Sequence, residues 1–149
     1  MAAVAAKIKE FEELDVQVLS CSVDSVYTHK MWNDLELKNM AGSTPFPMMS
    51  DQNGEIGRMY GVYDEQSGVS LRGTFIIDPE GNLQSFEVLS MPIGRNVFEG
   101  LRQVKAMQMV RSSKGKEVAP AVWDEGKKTI KPRAELVGNV WQEWNVSDI

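Results

Sequence analysis

The sequence predicts an α/β fold, because amphipathic helical segments alternate with short β-rich runs. Three observations support this prediction: a helical pattern over residues 2–14, a β-rich run over residues 15–22 that leads into a second helical pattern, and a β-hairpin over residues 69–89. The chain has 149 residues, of which 42% are hydrophobic and 25% charged, and this length suits one globular domain.

Residues 2–14 have the spacing of an amphipathic helix. The apolar side chains recur every three or four residues and so share one face, formed by Val4, Ile8, Phe11 and Leu14. No Ser, Thr, Asp or Asn stands before this segment to cap its first backbone N–H groups. We therefore expect the chain to begin inside an element.

The next two elements are a strand and a capped helix. Residues 15–22 are rich in β-branched and apolar residues, which indicates a buried strand that contains Cys21. Ser25 is placed to cap a helix over about residues 27–40. The inward-facing candidates of this helix are Met31, Leu35 and Leu37.

A loop rich in Gly, Ser and Pro at residues 42–47 precedes a smaller strand and helix. Met48 and Met49 predict a brief strand, which the turn residues at 51–54 end. A short helix over residues 55–60 follows, and Gly61 stops it because glycine readily takes the left-handed backbone conformation.

Residues 69–78 and 83–89 are two β-rich runs joined by Asp-Pro-Glu-Gly-Asn, a sequence typical of a tight turn. They predict a β-hairpin. Beyond it, Asn96 and Glu99 have the spacing of a capping pair for a helix that ends near Val110. That helix presents one apolar face, formed by Val97, Leu101 and Val104.

Beyond Arg111 the sequence has neither a helical nor a strand period. We therefore divide the chain into a core over residues 1–110 and an extended tail over residues 111–149. The tail is expected to pack along the core or against a partner subunit. Its lysines are not interleaved with aromatic residues as in a nucleic-acid-binding stripe, so a solvated face explains them better.

The composition excludes several classes of function. The net charge of −5 argues against binding of nucleic acid or an anionic membrane through the general field of the protein. No apolar run approaches the roughly 20 residues of a membrane span, and no signal peptide is evident. Cys21 and His29, the only cysteine and histidine, cannot form an intramolecular disulfide or a zinc site. We expect a cytoplasmic protein with no cofactor, no metal, and no nucleic-acid or membrane partner.

Six short segments stand in a fixed order along the chain: VLSCSVDSVYTHKMWN at 18–33, PFPMMSD at 45–51, YGVYD at 60–64, LRGTFIIDPEG at 71–81, PIGRN at 92–96 and GKEVAPAVW at 115–123. Together they resemble the peroxiredoxins of the alkyl hydroperoxide reductase C/thiol-specific antioxidant (AhpC/TSA) family. The resemblance covers nearly the whole chain. It implies a thioredoxin-like fold, in which helices flank a mixed β-sheet, here without its N-terminal strands.

The resemblance also implies a function. Members of the family reduce hydrogen peroxide and alkyl hydroperoxides through a peroxidatic cysteine thiolate, in antioxidant defence and cell redox homeostasis. An implied homodimer or larger homo-oligomer would pair its subunits through the strand at residues 83–89. The alternative is that the chain's own tail covers this strand.

Both thiols that the family uses are absent from this sequence. The family's peroxidatic cysteine stands in a Pro-x-x-x-Thr-x-x-Cys-Pro-Thr-Glu segment, and Met1 aligns just after that segment. Ala119 occupies the position of the resolving cysteine. We therefore expect this chain alone to be inactive. We expect a longer form, with an upstream cysteine or selenocysteine, to resemble a one-cysteine enzyme that an external thiol reduces.

By the same resemblance, Arg72 is the active-site arginine and Arg95 a second, more distant member of that polar cluster, while Trp32 borders the pocket. A guanidinium near the reacting sulfur lowers the pKa of its thiol and can donate hydrogen bonds to the peroxide oxygens. The alternatives are arginines on the surface of the hairpin and a tryptophan that fills the core.

Two other hypotheses remain open. The chain could be a non-catalytic interaction module that pairs with itself or with intact homologues. It could also be an enzyme that uses Cys21, although a thiol buried in a strand has a raised pKa and little reactivity. His29 is expected to order the start of its helix or to pack beside Trp32 rather than to act as a base.

Overall fold

The computed structural model describes residues 1–148, which contain both helices and strands. The α/β class that the sequence predicts is therefore confirmed. The chain divides into two units, of which the first is Met1–Val97 and the second begins at Phe98. Among the described residues, no helix combines the length and the apolar character that crossing a lipid bilayer requires.

The first predicted helix is present as two shorter ones, α1 (Ala2–Ala5) and α2 (Ile8–Glu13). The interruption falls at Lys7, whose φ of −112° departs from helical geometry. On the apolar face predicted for this segment, Phe11 is buried, while Val4, Ile8 and Leu14 are half-buried. Ala5, on α1, is buried as well.

The strand predicted over residues 15–22 is shorter than expected. Only β1 (Ser20–Ser22) forms a ladder, in parallel with β2 (Met48–Ser50). The next helix, α3 (Val26–Trp32), begins where the sequence predicts. The hydroxyl of Ser25 accepts a hydrogen bond from the backbone N–H of Thr28 at 3.1 Å, which confirms the predicted cap.

This helix does not remain α-helical over its predicted length. It passes through a π-helical turn at Asn33–Leu37 into α4 (Lys38–Ala41). A π-helical turn inserts one extra residue, so it rotates the residues that follow relative to α3. Leu37 is only 2% exposed, as expected, but Met31 and Leu35 are 54% and 61% exposed. The inward orientation predicted for Met31 and Leu35 is therefore wrong.

Asp51 connects β2 to the next helix, α5 (Glu55–Met59). Its buried carboxylate accepts hydrogen bonds from the backbone N–H groups of Ile56, at 3.0 Å, and Gly57, at 2.8 Å. These N–H groups lie in the first turn of α5, where a helix provides no partner for them. Gly61, with a φ of 68°, follows α5 as the sequence predicts.

The predicted hairpin is confirmed. After the short antiparallel pair β3 (Tyr63–Asp64) and β4 (Val69–Ser70), β5 (Arg72–Ile77) pairs antiparallel with β6 (Leu83–Leu89). Gly81 has a φ of 86° in the connecting turn, a conformation that favours glycine. The described strands thus include both parallel and antiparallel pairs.

The helix α6 (Val97–Ser112), which lies in the second unit apart from its first residue, contributes Leu101 and Val104 to the buried residues. The residues after α6 form an isolated antiparallel bridge and three short 3₁₀-helical turns, at Ala134–Leu136, Val140–Gln142 and Val146–Asp148. Trp123 is buried, and its indole N–H donates to the carbonyl oxygen of Lys127 at 3.1 Å. Local contacts therefore order the segment in which the sequence shows no period.

Candidate functional site

The hairpin holds Arg72 in a fixed orientation. Arg72 is the first residue of β5 and stands opposite Leu89 on β6. Two residues beyond Leu89, the carbonyl oxygen of Met91 accepts a hydrogen bond from Nε of Arg72. Because Nε makes this contact, the hairpin backbone fixes the direction in which the two terminal nitrogens of the guanidinium point.

Arg95 lies close enough to Arg72 for their charges to interact. Desolvation and the positive charge of Arg72 lower the pKa of Arg95, and the carboxylate of Glu87 acts in the opposite direction. That Arg72 and Arg95 belong to one polar cluster stays a prediction, with which the influence of the Arg72 charge on Arg95 is consistent.

The Met1 amino group, which precedes α1, is influenced by the charges of both arginines. The pKa of the Met1 amino group is lowered by desolvation first, and then by the charges of Arg95 and Arg72. A positive group is therefore disfavoured at this place. Of these effects, the charges of the two arginines would favour an anion such as a thiolate there, whereas desolvation disfavours a charge of either sign.

Trp32 lies at the end of α3, in an open groove of about 430 Å³. Its indole N–H donates to Oε2 of Glu36 at 2.8 Å. The floor of the groove is apolar, with Met31 and Leu35 beside the indole. Neither Arg72 nor Arg95 is among the residues that line this groove.

His29 is 6% exposed and ties α3 to β1. Its Nε2 lies 2.7 Å from Oγ of Ser22, and that hydroxyl donates its proton to Oδ2 of Asp24 at 2.8 Å. The hydroxyl therefore accepts from Nε2–H of His29. Among residues 1–148, Nδ1 of His29 is buried without a hydrogen-bond partner. This arrangement gives His29 the structural role at the helix start that the sequence indicates.

Cys21 lies in β1 opposite Met49 and is exposed, so the expectation that its side chain is buried is wrong. Side chains alternate along a strand, which places Cys21 on the opposite face from Ser20 and Ser22. Partial desolvation and the charge of Asp51 raise the pKa of the Cys21 thiol. Its thiolate is consequently scarce at neutral pH.

Ala119 lies in the second unit, next to the bridge between Val118 and Ile130. The two backbone hydrogen bonds of that bridge measure 2.9 and 3.1 Å. A methyl group at this position cannot form a disulfide. The bridge fixes the backbone on the N-terminal side of Ala119.

Sequence reasoning missed Met91, whose carbonyl oxygen accepts from Nε of Arg72, and Glu87, whose charge acts on Arg95. The signal for Glu87 was available, because a hairpin with its turn at 78–82 places alternate residues of both strands on one face. The contact of Arg72 with Met91 has no comparable signal, since it depends on the path of the chain beyond β6.

Comparisons with known proteins agree with this fold. The AhpC/TSA family model matches residues 1–86. The chain is 58% identical over 149 residues to the selenocysteine-containing peroxiredoxin PrxU of Peptoclostridium acidaminophilum. The matched region covers 99% of this chain and 73% of that protein. It is 44% identical over 126 residues to the thioredoxin peroxidase of Trypanosoma brucei rhodesiense, covering 84% of this chain and 62% of that protein.

Solved structures give the same result. The reduced 2-Cys peroxiredoxin of Plasmodium vivax superimposes with a TM-score of 0.81 at 35% identity, over 90% of this chain and 68% of that one. The fold is therefore the thioredoxin-like fold that the sequence resemblance implies. The chain belongs to the AhpC/TSA family of peroxiredoxins.

Proposed function

We propose that this chain carries the arginine side of the active site of a hydroperoxide reductase that acts on hydrogen peroxide and alkyl hydroperoxides. The observation that carries this proposal is the hydrogen bond that fixes Arg72 to the carbonyl oxygen of Met91, together with the influence of the Arg72 and Arg95 charges on the Met1 amino group. Relatives of the chain are peroxiredoxins and a thioredoxin peroxidase, which supports the same reaction.

The two arginines would have distinct tasks in this reaction. A thiolate or selenolate attacks the terminal peroxide oxygen, so that an S–O or Se–O bond forms, the O–O bond breaks, and a sulfenic or selenenic acid results. The leaving oxygen keeps the bonding electron pair, takes up a proton from solvent, and departs as water or an alcohol. Arg72, fixed by the carbonyl oxygen of Met91, would stabilise the attacking anion and donate to the peroxide oxygens. Arg95 would add positive charge to the same place. Trp32 would border the pocket, as the family resemblance implies.

The reacting atom in this proposal is not the sulfur of Cys21. Desolvation and the negative charge of Asp51 raise the pKa of the Cys21 thiol, which disfavours a thiolate. The 149 residues alone are therefore expected to be inactive, with the peroxidatic residue supplied by an upstream segment of a longer native protein. The identity of 58% with a selenocysteine-containing peroxiredoxin supports selenocysteine at that position.

An external thiol would regenerate the enzyme. Ala119 stands where a resolving cysteine would be, so the oxidised residue has no intersubunit thiol partner of the usual kind. The name of the trypanosomal relative, thioredoxin peroxidase, supports a thiol as reductant. We propose a cytoplasmic homodimer or larger homo-oligomer, with a core over residues 1–110 and a tail over residues 111–149.

The test is hydroperoxide consumption by the native protein, compared with its Arg72→Ala variant and with the 149-residue chain. We expect thiol-dependent consumption by the native protein, at least a hundredfold less by Arg72→Ala, about the cost of removing one such donor, and none by the 149-residue chain. Equal consumption by the native protein and Arg72→Ala would overturn the role of the arginine.

A second candidate function is a non-catalytic interaction module. The exposed apolar side chains of β6 favour it, because such side chains commonly mark a contact surface: Leu83, Phe86 and Val88. A native protein that forms dimers but consumes no hydroperoxide would support this candidate over the peroxidase.

A further inference from the structure

We propose that Phe75 is a positioning residue that holds the backbone on which Arg72 stands. Its ring covers Gly73, the residue that follows Arg72, and packs against Tyr60. This inference rests on the proposed hydroperoxide reduction, because it names the residue that keeps the arginine of that site in place. It concerns only residues of the first unit.

The ring of Phe75 lies directly against the backbone of Gly73. A methyl group added to Gly73 would stand 2.7 Å from Cε2 of Phe75, closer than carbon atoms approach without a shift, and 3.1 Å from Cγ1 of Val62. Gly73 does not have a positive φ, so the close approach of the ring, and not the backbone conformation, favours glycine here. Residues 73 and 75 are two apart on β5 and therefore share one face.

Tyr60 and Val62, which precede the hairpin, complete this packing. The ring of Tyr60 meets that of Phe75 edge-on, with the ring centroids 4.8 Å apart and an angle of 71° between the ring planes. Val62 is buried and borders the same glycine. The ring of Phe75 is therefore in contact with Tyr60 as well as with Gly73.

Backbone hydrogen bonds carry this restraint to Arg72. The N–H of Gly73 donates to the carbonyl oxygen of Leu71 at 2.9 Å, which closes a three-residue turn centred on Arg72. The N–H of Leu71 donates in turn to the carbonyl oxygen of Val62 at 2.7 Å. The residues on both sides of Arg72 are therefore fixed.

The glycine next to Arg72 makes such a restraint necessary. Glycine has the widest conformational freedom of all residues, so an uncovered Gly73 would let the start of β5 move. The hydrogen bond from Nε of Arg72 to the carbonyl oxygen of Met91 persists only while that backbone stays in place. Side chains alternate along a strand, so Arg72 points away from the face of Phe75, and the ring acts on the arginine through the backbone.

Hydrogen exchange measured by NMR in the 149-residue chain tests the proposal without any need for enzymatic activity. In Phe75→Leu we expect the Nε hydrogen of Arg72 and the amide hydrogen of Gly73 to exchange about tenfold faster than in the wild type, because this segment opens more often. Arg72→Lys identifies the Nε signal. The amide of His29, bonded to Ser25 within α3, is the internal reference, since global unfolding would accelerate its exchange as well.

The matched control is Phe86→Leu, because Phe86 pairs with Phe75 across the hairpin and is 67% exposed. It removes the same ring from the same face but leaves the ring of Phe75 on Gly73. Phe75→Tyr keeps the ring and should retain the slow exchange of the wild type.

Exchange at Arg72 and Gly73 that is unchanged in Phe75→Leu, or that rises equally in Phe86→Leu, would overturn the proposal. If Phe75→Leu does not fold, Tyr60→Leu provides the comparison, because it removes the edge-on partner of the ring and should accelerate exchange of the same two hydrogens.

A second readout uses the native peroxidase. There Phe75→Leu should lower kcat/KM for hydrogen peroxide by about tenfold to a hundredfold, the scale of a misplaced catalytic group, while Phe98→Leu, at an exposed position of α6, should not. If the native protein consumes no hydroperoxide, the proposed function fails while the hydrogen-exchange comparison still decides the role of Phe75.

Discussion

Arg72 donates its Nε hydrogen to the carbonyl oxygen of Met91, 19 residues further along the chain. This contact ties the first residue of β5 to the segment that leaves β6. A guanidinium held in this way keeps its terminal nitrogens in place before any ligand arrives. Such preorganisation is what electrostatic stabilisation of a developing charge requires.

The Arg72 contact leads to a first prediction. Arg72→Lys keeps the positive charge but loses the fixed planar donor group and the bond to Met91. In the form that carries the peroxidatic residue, we expect kcat/KM for hydroperoxide to fall about a hundredfold, as for loss of one preorganised donor. Stopped-flow peroxide consumption measures this effect. Arg133→Lys, a tail arginine paired with Glu143, serves as the control, and wild-type turnover by Arg72→Lys would contradict the account.

His29 is expected to contribute to stability rather than to chemistry. His29→Ala removes a buried ring and leaves the Ser22 hydroxyl without its donor. We expect a loss of about 2–4 kcal/mol in the free energy of unfolding. Urea denaturation measures the loss, with the exposed neighbour Lys30→Ala as control, for which a change within about 0.5 kcal/mol is expected. Equal effects of the two substitutions would show that the contact with Ser22 contributes little.

The ion pair of Glu99 and Arg102 predicts a pH dependence in the second unit. Hydrogen bonds from Arg102 lower the pKa of Glu99 to about 2, from a usual 4.5. A carboxylate whose pKa is depressed in the folded state stabilises the fold fully above pH 4.5 and loses this contribution as the pH falls toward 2. Because both side chains are partly exposed, we expect at most about 1 kcal/mol.

The comparison that tests this pH dependence is between the wild type and Glu99→Gln. Urea titrations at pH 7 and pH 3 should show a stability difference between the two proteins that shrinks at the lower pH. A difference that is the same at both values would exclude titration of Glu99 as its cause.

Cys21 is expected to be chemically slow. Because desolvation and Asp51 raise the pKa of its thiol, alkylation of Cys21 by iodoacetamide at pH 8 should be slower than alkylation of glutathione, despite the exposure of the side chain. Mass spectrometry of timed samples measures the rate. In the peroxidase form, Cys21→Ser should leave hydroperoxide turnover unchanged, and loss of turnover would revive the hypothesis that Cys21 is the nucleophile.

Local sequence signals predicted much of the fold. The Ser25 cap and the turn before β6 depend on side chains a few residues apart, so the sequence contains the whole signal. The orientation predicted for Leu35 was wrong because Leu35 lies within the π-helical turn at Asn33–Leu37, which changes the helical period. The orientation predicted for Met31 was also wrong, but Met31 precedes this turn, which does not account for its exposure. The spacing of apolar residues in the sequence does not predict such a turn.

The candidate site was predictable only in part. The family resemblance predicted Arg72 and Arg95 as site residues, and this stays a prediction, whereas the contact that orients Arg72 follows from tertiary structure. The carbonyl oxygen of Met91 is a backbone group, whose contacts no side-chain pattern encodes. Cys21 is exposed because strand alternation directs it away from the face of Ser20 and Ser22. The apolar residues of this run had predicted a buried side chain instead.

The most direct test of the central claim is the intact mass of the native protein from its source, with selenium content and hydroperoxide consumption measured on the same sample. The account predicts a mass above 16.7 kDa, one additional cysteine or selenocysteine, and thiol-dependent consumption of hydroperoxide. A protein of 16.7 kDa that consumes no hydroperoxide would contradict it and would favour the non-catalytic interaction module.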